Sequence, residues 1–249
     1  MIDVVAGYAR GYNAEQIRPF LKSLRNSGFD GRILLFANGG AAEEAKKWDV
    51  DLRAVPKPRI KVHSARFVCI EEALRDIPCE GIFLTDTRDV VFQKNPGEYL
   101  PPEGLNVYLE DQSMSIGTCP YNSLWISLGY TGKVLEKLSN SFISCVGCSC
   151  GDRDSVLFYL KRLVEEVQRI QPRTDKPQDQ AAHNYLIREE LDCRVWDNEE
   201  GEVYTVGYIH RGHVKIKDNK IINMDGDIPA VIHQWDRHKN LETLIKATL

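Results

Sequence analysis

The sequence predicts an α/β protein: a mainly parallel, Rossmann-like sheet flanked by helices, with an elaborated carboxyl-terminal half. Three observations carry this expectation. Short apolar runs at 2–8, 31–37, 51–55 and 82–84 alternate with segments of helical periodicity, the βαβ rhythm of a right-handed, doubly wound architecture. Residues 153–171 form the clearest helix, with Val156, Leu157, Leu160, Leu163, Val164, Val167 and Ile170 in one stripe. The run at 82–84 stops abruptly at Thr85 and Asp86, and a second acid, Asp89, follows before the apolar run 90–92. That is a buried strand delivering two carboxylates to its carboxyl end, where open α/β sheets bind ligands.

In chain order, residues 2–8 carry Ile2, Val4, Val5 and Ala6 and end at Gly7, as a strand entering a tight loop does. Asn13 caps a helix in which Ile17, Phe20, Leu21 and Leu24 recur at helical spacing and Gly28 closes the end. Pro19 delays the regular part of that helix to Arg18. Residues 31–37 read as a buried strand, 41–48 as a short helix, 51–55 as a third strand, and 61–76 as a helix burying Phe67, Val68, Ile70, Ala73 and Leu74.

After the two acids the rhythm changes. A strand is expected at 105–110, short helices at 122–128 and 132–139, and a short strand at 142–146 leading into a loop of Cys and Gly residues. Pro177 and Asp179 open a helix at 179–188. β-like runs follow at 193–196 and 203–208, and a hairpin joins 214–217 to 220–223 across Asp218-Asn219. The chain closes with a strand at 231–233, an exposed segment 233–238 and a helix from Leu241. No repeat or linker interrupts it, so residues 1–249 are expected to form one domain.

The composition narrows the function. With 32 Lys and Arg against 36 Asp and Glu, the formal charge is −4, which argues against a nucleic-acid partner. The amino terminus lacks a basic stretch followed by a long apolar one, and no segment approaches the roughly 20 apolar residues that span a bilayer, so a cytoplasmic protein is expected. Peripheral contact with a membrane is left open. Seven cysteines, an odd number scattered along the chain, fit reduced thiols. Cys145, Cys148 and Cys150 lack the partner pair that a structural zinc site needs, and small buried or loop thiols are the better reading.

Asp86 and Asp89 suit oxygen ligation of a divalent cation that neutralises a diphosphate, although Asp is also common where a strand simply turns. Read together, these stretches resemble the GT-A glycosyltransferases. The first half of such enzymes is a nucleotide-binding α/β sandwich, and their hallmark is D-x-D after an apolar strand, with apolar residues and a proline following. Here Arg88 stands where the second acid of a strict motif would be, and Asp89 lies seven residues before Pro96, so the loop reads as D-x-x-D. The stretch 17–36 is similar to the first helix and second strand of that family. Asp179-Gln180 with Asn184 is similar to its DQ-x-x-x-N helix start, and His233 to its late histidine.

The resemblance implies a nucleotide-binding half at 1–110 and an acceptor-side half at 111–249. It implies transfer of a sugar from a nucleoside diphosphate, UDP above all, to a glycan, glycoconjugate or other hydroxyl acceptor. Asp86, Asp89 and His233 would hold Mn²⁺ or Mg²⁺, with Mn²⁺ accepting the nitrogen ligand more readily. The loop after the first strand, with Ala6, Gly7 and Tyr8, would border the base. Arg66 and Arg237 would approach the phosphates, and Asp86 the ribose or the metal. Asp179 and Gln180 would act at the reacting centre: Asp179 as general base if the enzyme inverts, both as donor-orienting groups if it retains. Asp179 also makes sense as a helix cap. Asp111, Asn122, Trp125 and Trp235 are the acceptor-side candidates.

Two rivals stand beside this reading. A nucleotide-sugar-binding module without turnover would keep the fold, and Arg88 within the acid motif gives it some footing. A haloacid-dehalogenase-type phosphatase also places an aspartate after an apolar strand, but needs an acid where Arg88 stands. A nicotinamide-dependent oxidoreductase is excluded, since AGYARGYN lacks the glycine fingerprint.

Overall fold

The computed structural model describes residues 1–56, 62–209 and 214–249. The first apolar run forms strand β1 (Val4–Ala9), nearly all of it buried, as a central parallel strand requires. Asn13 then starts helix α1 (Ala14–Asn26). Its side chain accepts from the Gln16 backbone N–H, and the Gln16 side chain accepts from that of Asn13, a complete capping box. The helix therefore does not wait for Arg18. Pro19 sits inside it and removes one hydrogen bond, while the capping box and the burial of Ile17, Phe20, Leu21 and Leu24 hold the first turns in place.

Strand β2 (Arg32–Ala37), helix α2 (Gly39–Ala45), strand β3 (Asp51–Ala54), helix α3 (Val62–Arg75) and strand β4 (Gly81–Thr85) complete the alternating half. Lys61, the expected first residue of the α3 helix, lies outside the described residues. Then come β5 (Val90–Phe92), α4 (Pro96–Tyr99), β6 (Leu105–Leu109), α5 (Pro120–Gly129), α6 (Gly132–Leu138), β7 (Ser144–Asp152), α7 (Arg153–Ile170) and α8 (Asp179–Glu189). The last part holds β8 (Arg194–Trp196), β9 (Val203–Thr205), β10 (Lys215–Lys217), β11 (Lys220–Ile222), β12 (Val231–His233) and α9 (Lys239–Thr248).

Seven strands form the central sheet in the order β3-β2-β1-β4-β7-β6-β8. All its neighbours pair in parallel except β7, which runs antiparallel to both β4 and β6. Strand order moves outward from β1 to β3 and then returns to β4 on the other side of β1. The crevice outside the carboxyl ends of β1 and β4 is therefore a topological switch point, the place where open α/β sheets bind ligands.

β7 corrects one expectation. The Cys and Gly residues after 146 do not form a loop; they are the middle of a nine-residue strand. Cys148 and Cys150 alternate with Ser149 and Gly151, and the two thiols join the core beside Phe83 and Tyr108. Such small residues give a weak apolar signal in sequence yet fill a strand buried on both faces.

A second, three-stranded sheet has β12 in its centre, antiparallel to β5 and parallel to β9. This overturns the expectation of an exposed 233–238 segment: His233, Gln234, Trp235 and His238 are all buried. The indole of Trp235 packs in a third core cluster with Val91, Tyr204, Leu241 and Ile245, which ties α9 to the small sheet. The hairpin β10–β11 turns at Asp218 and Asn219, both with positive φ (50° and 59°), the conformation of a type I′ turn. Among the described residues, no helix is long and apolar enough to cross a membrane.

Candidate metal centre

The two sheets meet at the turn between β4 and β5, and that junction assembles the site. Asp86 leaves the end of β4 with its N–H donating to the Gly147 carbonyl at 2.7 Å. In the second sheet Val90 stands opposite His233, so the residue before Val90 and the imidazole come together. The Gln234 N–H donates to the Asp89 carbonyl at 2.7 Å and fixes that register. As a result one ligand atom each from Asp86, Asp89 and His233 lies within 4.8 Å of the others. An acid pair from one turn and a histidine from the far end of the chain converge at the switch point.

The imidazole is fully buried. Its Nδ1 lies 3.3 Å from the Thr205 hydroxyl, which orients the ring. Its Nε2 is buried without a hydrogen-bond partner and lies 3.6 Å from Asp86 Oδ2. Gly147 leaves the room: a Cβ there would lie 2.6 Å from Asp86 Oδ2 and 2.9 Å from His233 Nε2. An orphaned buried nitrogen, two carboxylates and a side-chain-free wall fit a divalent cation with oxygen and imidazole ligands.

Burial alone would push the Asp86 carboxyl up, but Arg66 and His233 outweigh it and hold it well below the usual carboxylate range. In Asp89 burial dominates and pushes the carboxyl up. Burial disfavours the His233 imidazolium, yet Cys148, Asp86 and Asp89 together raise its pKa.

Arg66, on α3, closes the cleft. Its Nη1 donates to Asp86 Oδ1 and its Nη2 to Asp179 Oδ2 at 3.2 Å, so one guanidinium ties α3 to the end of β4 and the start of α8. Beside it, Tyr8, Phe67, Thr85, Val146 and Gly147 line a narrow cleft. The half-buried Tyr8 ring stacks on Phe36 at 6.2 Å, and its hydroxyl is unpartnered. Ala6 lies fully in the core beneath, and Gly7 packs against the Thr87 methyl with no room for a Cβ. Among the donor-side residues, Tyr8 and Arg66 thus offer side chains to the cleft, Asp86 meets it through Arg66, and Ala6 and Gly7 offer shape.

The DQ-x-x-x-N stretch divides its labour. Gln180 accepts from the Val146 N–H at 2.9 Å and donates to the Ser144 carbonyl at 2.8 Å. Asn184 pairs with both backbone groups of Ser144, at 3.0 and 2.8 Å. These amides act as a substitute edge for β7. Only Asp179, through Arg66, reaches the cleft.

The acceptor-side candidates do not gather in one place. Asn122 is buried against Cys119 and Gln180. Trp125 is half-buried and packs against Tyr121. Asp111 accepts from the Ser113 N–H in its own turn, and Trp235 belongs to the third core cluster. Arg237 is exposed and lies over the Tyr208 ring at 5.0 Å. Arg88 turns from the acids and bonds Asp236 at 3.0 Å.

Three residues join the site that spacing did not single out. Gly147 is one. Tyr12 is the second: burial, then Asp86, pushes its phenol up, and Asp89 and Arg66 act on it too. Glu110, after β6, is the third. No protein-family model matches this chain, and a search of curated proteins returns no match.

Proposed function

We propose that the chain is a metal-dependent glycosyltransferase of the GT-A type, which transfers a sugar from a nucleoside diphosphate sugar, UDP-linked above all, to a hydroxyl acceptor. The observation that carries this reading is the convergence of Asp86, Asp89 and His233 at the switch point, with an unpartnered imidazole nitrogen facing the acids. A Mn²⁺ or Mg²⁺ held there supplies electrostatic stabilisation for the diphosphate leaving group. The protein's own part is positional. Thr205 holds the imidazole, the Gly147 carbonyl holds the Asp86 backbone, and Arg66 stands where a phosphate oxygen can replace a carboxylate as its partner. Tyr8 borders the cleft at the end of β1 with a face able to stack on a base.

A binding module without turnover is the second reading, because Arg66 already occupies one oxygen of Asp86. Thermal unfolding with a panel of nucleoside diphosphates and their sugars, with and without Mn²⁺, tests the donor site. A ligand bound only by the folded state at about a hundred times its Kd adds roughly 2.7 kcal/mol. The expected result is a shift that needs both one nucleotide and Mn²⁺ and that Asp89→Ala abolishes. Turnover of that donor separates enzyme from module. A metal-independent pattern, or full activity in Asp89→Ala, sinks the assignment.

A further inference from the structure

Glu110 follows β6 on the same carboxyl edge of the sheet as Asp86. β6 and β4 run parallel with β7 between them, so the two positions lie at least two strand spacings, about 10 Å, apart across the sheet. The two positions bond β7 at different points, Asp86 N–H to Gly147 O at 2.7 Å and Glu110 N–H to Ile143 O at 2.8 Å, on either side of the stretch where β7 slips against β6.

Glu110 is 5% exposed, and its Oε2 is buried with no hydrogen-bond partner. Unlike Asp179, it has no guanidinium bonded to it among the described residues, although Arg237 is near enough to act on its charge. The Cys145 thiol and the Gln234 amide are its side-chain neighbours, and Gln234 donates to Cys145 Sγ at 3.5 Å. Gln234 is itself 4% exposed, and its Oε1 is also buried and unpartnered. Two orphaned acceptor atoms therefore sit together, each at a cost that burial of a polar group normally excludes.

The backbone is bent to place them so. Gln234 is one of three non-glycine residues with positive φ among the described residues, at 62°. In a regular strand successive side chains point to opposite faces, and a left-handed residue after His233 breaks that alternation. His233 faces Asp86 while the next side chain reaches Cys145 and Glu110. Gly207 gives the space, because a Cβ there would collide with Gln234 Oε1 and crowd Arg237. Sparsely populated backbone held by its surroundings is concentrated at functional sites.

We propose that Glu110 and Gln234 form the acceptor subsite, where their free oxygens receive hydrogen bonds from adjacent hydroxyls of a neutral saccharide. This rests on the donor reading above. Gln234 directly follows His233 of the metal centre, which sets the two oxygens beside the donor site. Tyr208 and Arg237, stacked at the rim, give the saccharide an apolar face and an edge of charge.

The test is calorimetric titration of glucose, galactose, N-acetylglucosamine and lactose into the protein held with UDP and Mn²⁺, for the wild type, Glu110→Gln and Gln234→Asn. Asparagine tolerates positive φ, so the second variant keeps the backbone and withdraws the amide by one methylene. At least one saccharide is expected to bind the wild type and to bind each variant at least tenfold more weakly, with the thermal shift from UDP and Mn²⁺ retained in all three. Equal saccharide affinity in wild type and both variants overturns the subsite and leaves the donor reading standing, as does the absence of binding by every saccharide. No UDP–Mn²⁺ shift in the wild type overturns the donor reading and the subsite with it. Should Glu110→Gln fail to fold, Gln234→Asn alone decides.

Discussion

His233 Nε2 lies 3.6 Å from Asp86 Oδ2, and the wall beside that contact is the side-chain-free Gly147. The pair is too far apart for a strong hydrogen bond and well placed for a shared cation. Gly147→Ala is therefore expected to spoil the site before it spoils the fold. Its methyl would lie 2.6 Å from Asp86 Oδ2, so either side chain must move. Overpacking of this kind costs about 1–3 kcal/mol. Thermal shifts with UDP, with and without Mn²⁺, check the outcome: the variant should fold yet show no metal-dependent shift. A wild-type shift would mean that the gap between Asp86 and His233 is not where a cation sits.

In the proposed site Arg66 and a cation would compete for Asp86. Replacing it with Met leaves Asp86 and Asp179 without their guanidinium in a site where Arg66 is only 19% exposed. Removing one partner of a buried pair costs about 3–5 kcal/mol, and partial exposure reduces that to roughly 2–3 kcal/mol. Urea unfolding of Arg66→Met should show this loss, and Mn²⁺ should restore more stability to the variant than it adds to wild type. An identical gain from Mn²⁺ in both proteins would refute the competition.

What was legible in the sequence follows from which signals are local. The alternation of strands and helices, the cap at Asn13 and the Asp218-Asn219 turn are decided within a few residues, and each lies where periodicity or turn chemistry places it. Asp86 and Asp89 could be read as a pair from the strand that delivers them. Three things escaped. β7 is built of Cys, Ser and Gly, whose small side chains carry no apolar rhythm although the strand is central. The burial of 233–238 depends on β12 pairing with β5 and β9, contacts distant in the chain. Glu110 and Gly147 enter the site only because β6, β7 and β4 are neighbours, an order that no local window contains.

Gln180 and Asn184 are expected to act on stability more than on chemistry. Asn184 satisfies both the N–H and the carbonyl of Ser144, which is fully buried. Asn184→Ala strands the Ser144 N–H, while the carbonyl keeps the Gln180 amide, and an unsatisfied buried donor costs about 1–3 kcal/mol. Asn184→Ala should lower the urea midpoint by a corresponding amount, and Gln180→Ala, which frees the Val146 N–H, should do likewise. Donor affinity in variants that remain folded is expected to hold within a few fold. A selective loss of donor binding at full stability would return both amides to the reacting centre.

The last prediction concerns His183, which is fully buried between the Tyr159 hydroxyl at 2.8 Å from Nδ1 and the Ser144 hydroxyl at 2.9 Å from Nε2. Burial, then Arg188 and Arg66, lowers its pKa to about 3. In the unfolded chain the same imidazole takes a proton near its ordinary value of 6.5. Between those two values the unfolded state binds more protons than the folded one, so stability rises with pH there and is lost as pH falls from 6.5 towards 3. The slope is roughly 1 kcal/mol per pH unit. His183→Gln keeps a donor and an acceptor in the cavity but cannot titrate. Urea unfolding from pH 7 to pH 5 should show the wild type losing stability faster than the variant as acid is added, so that its advantage narrows. Parallel curves would mean that His183 takes up its proton over this range as readily in the folded protein as in the unfolded chain, so that Tyr159 and Ser144 hold an imidazolium at pH 5.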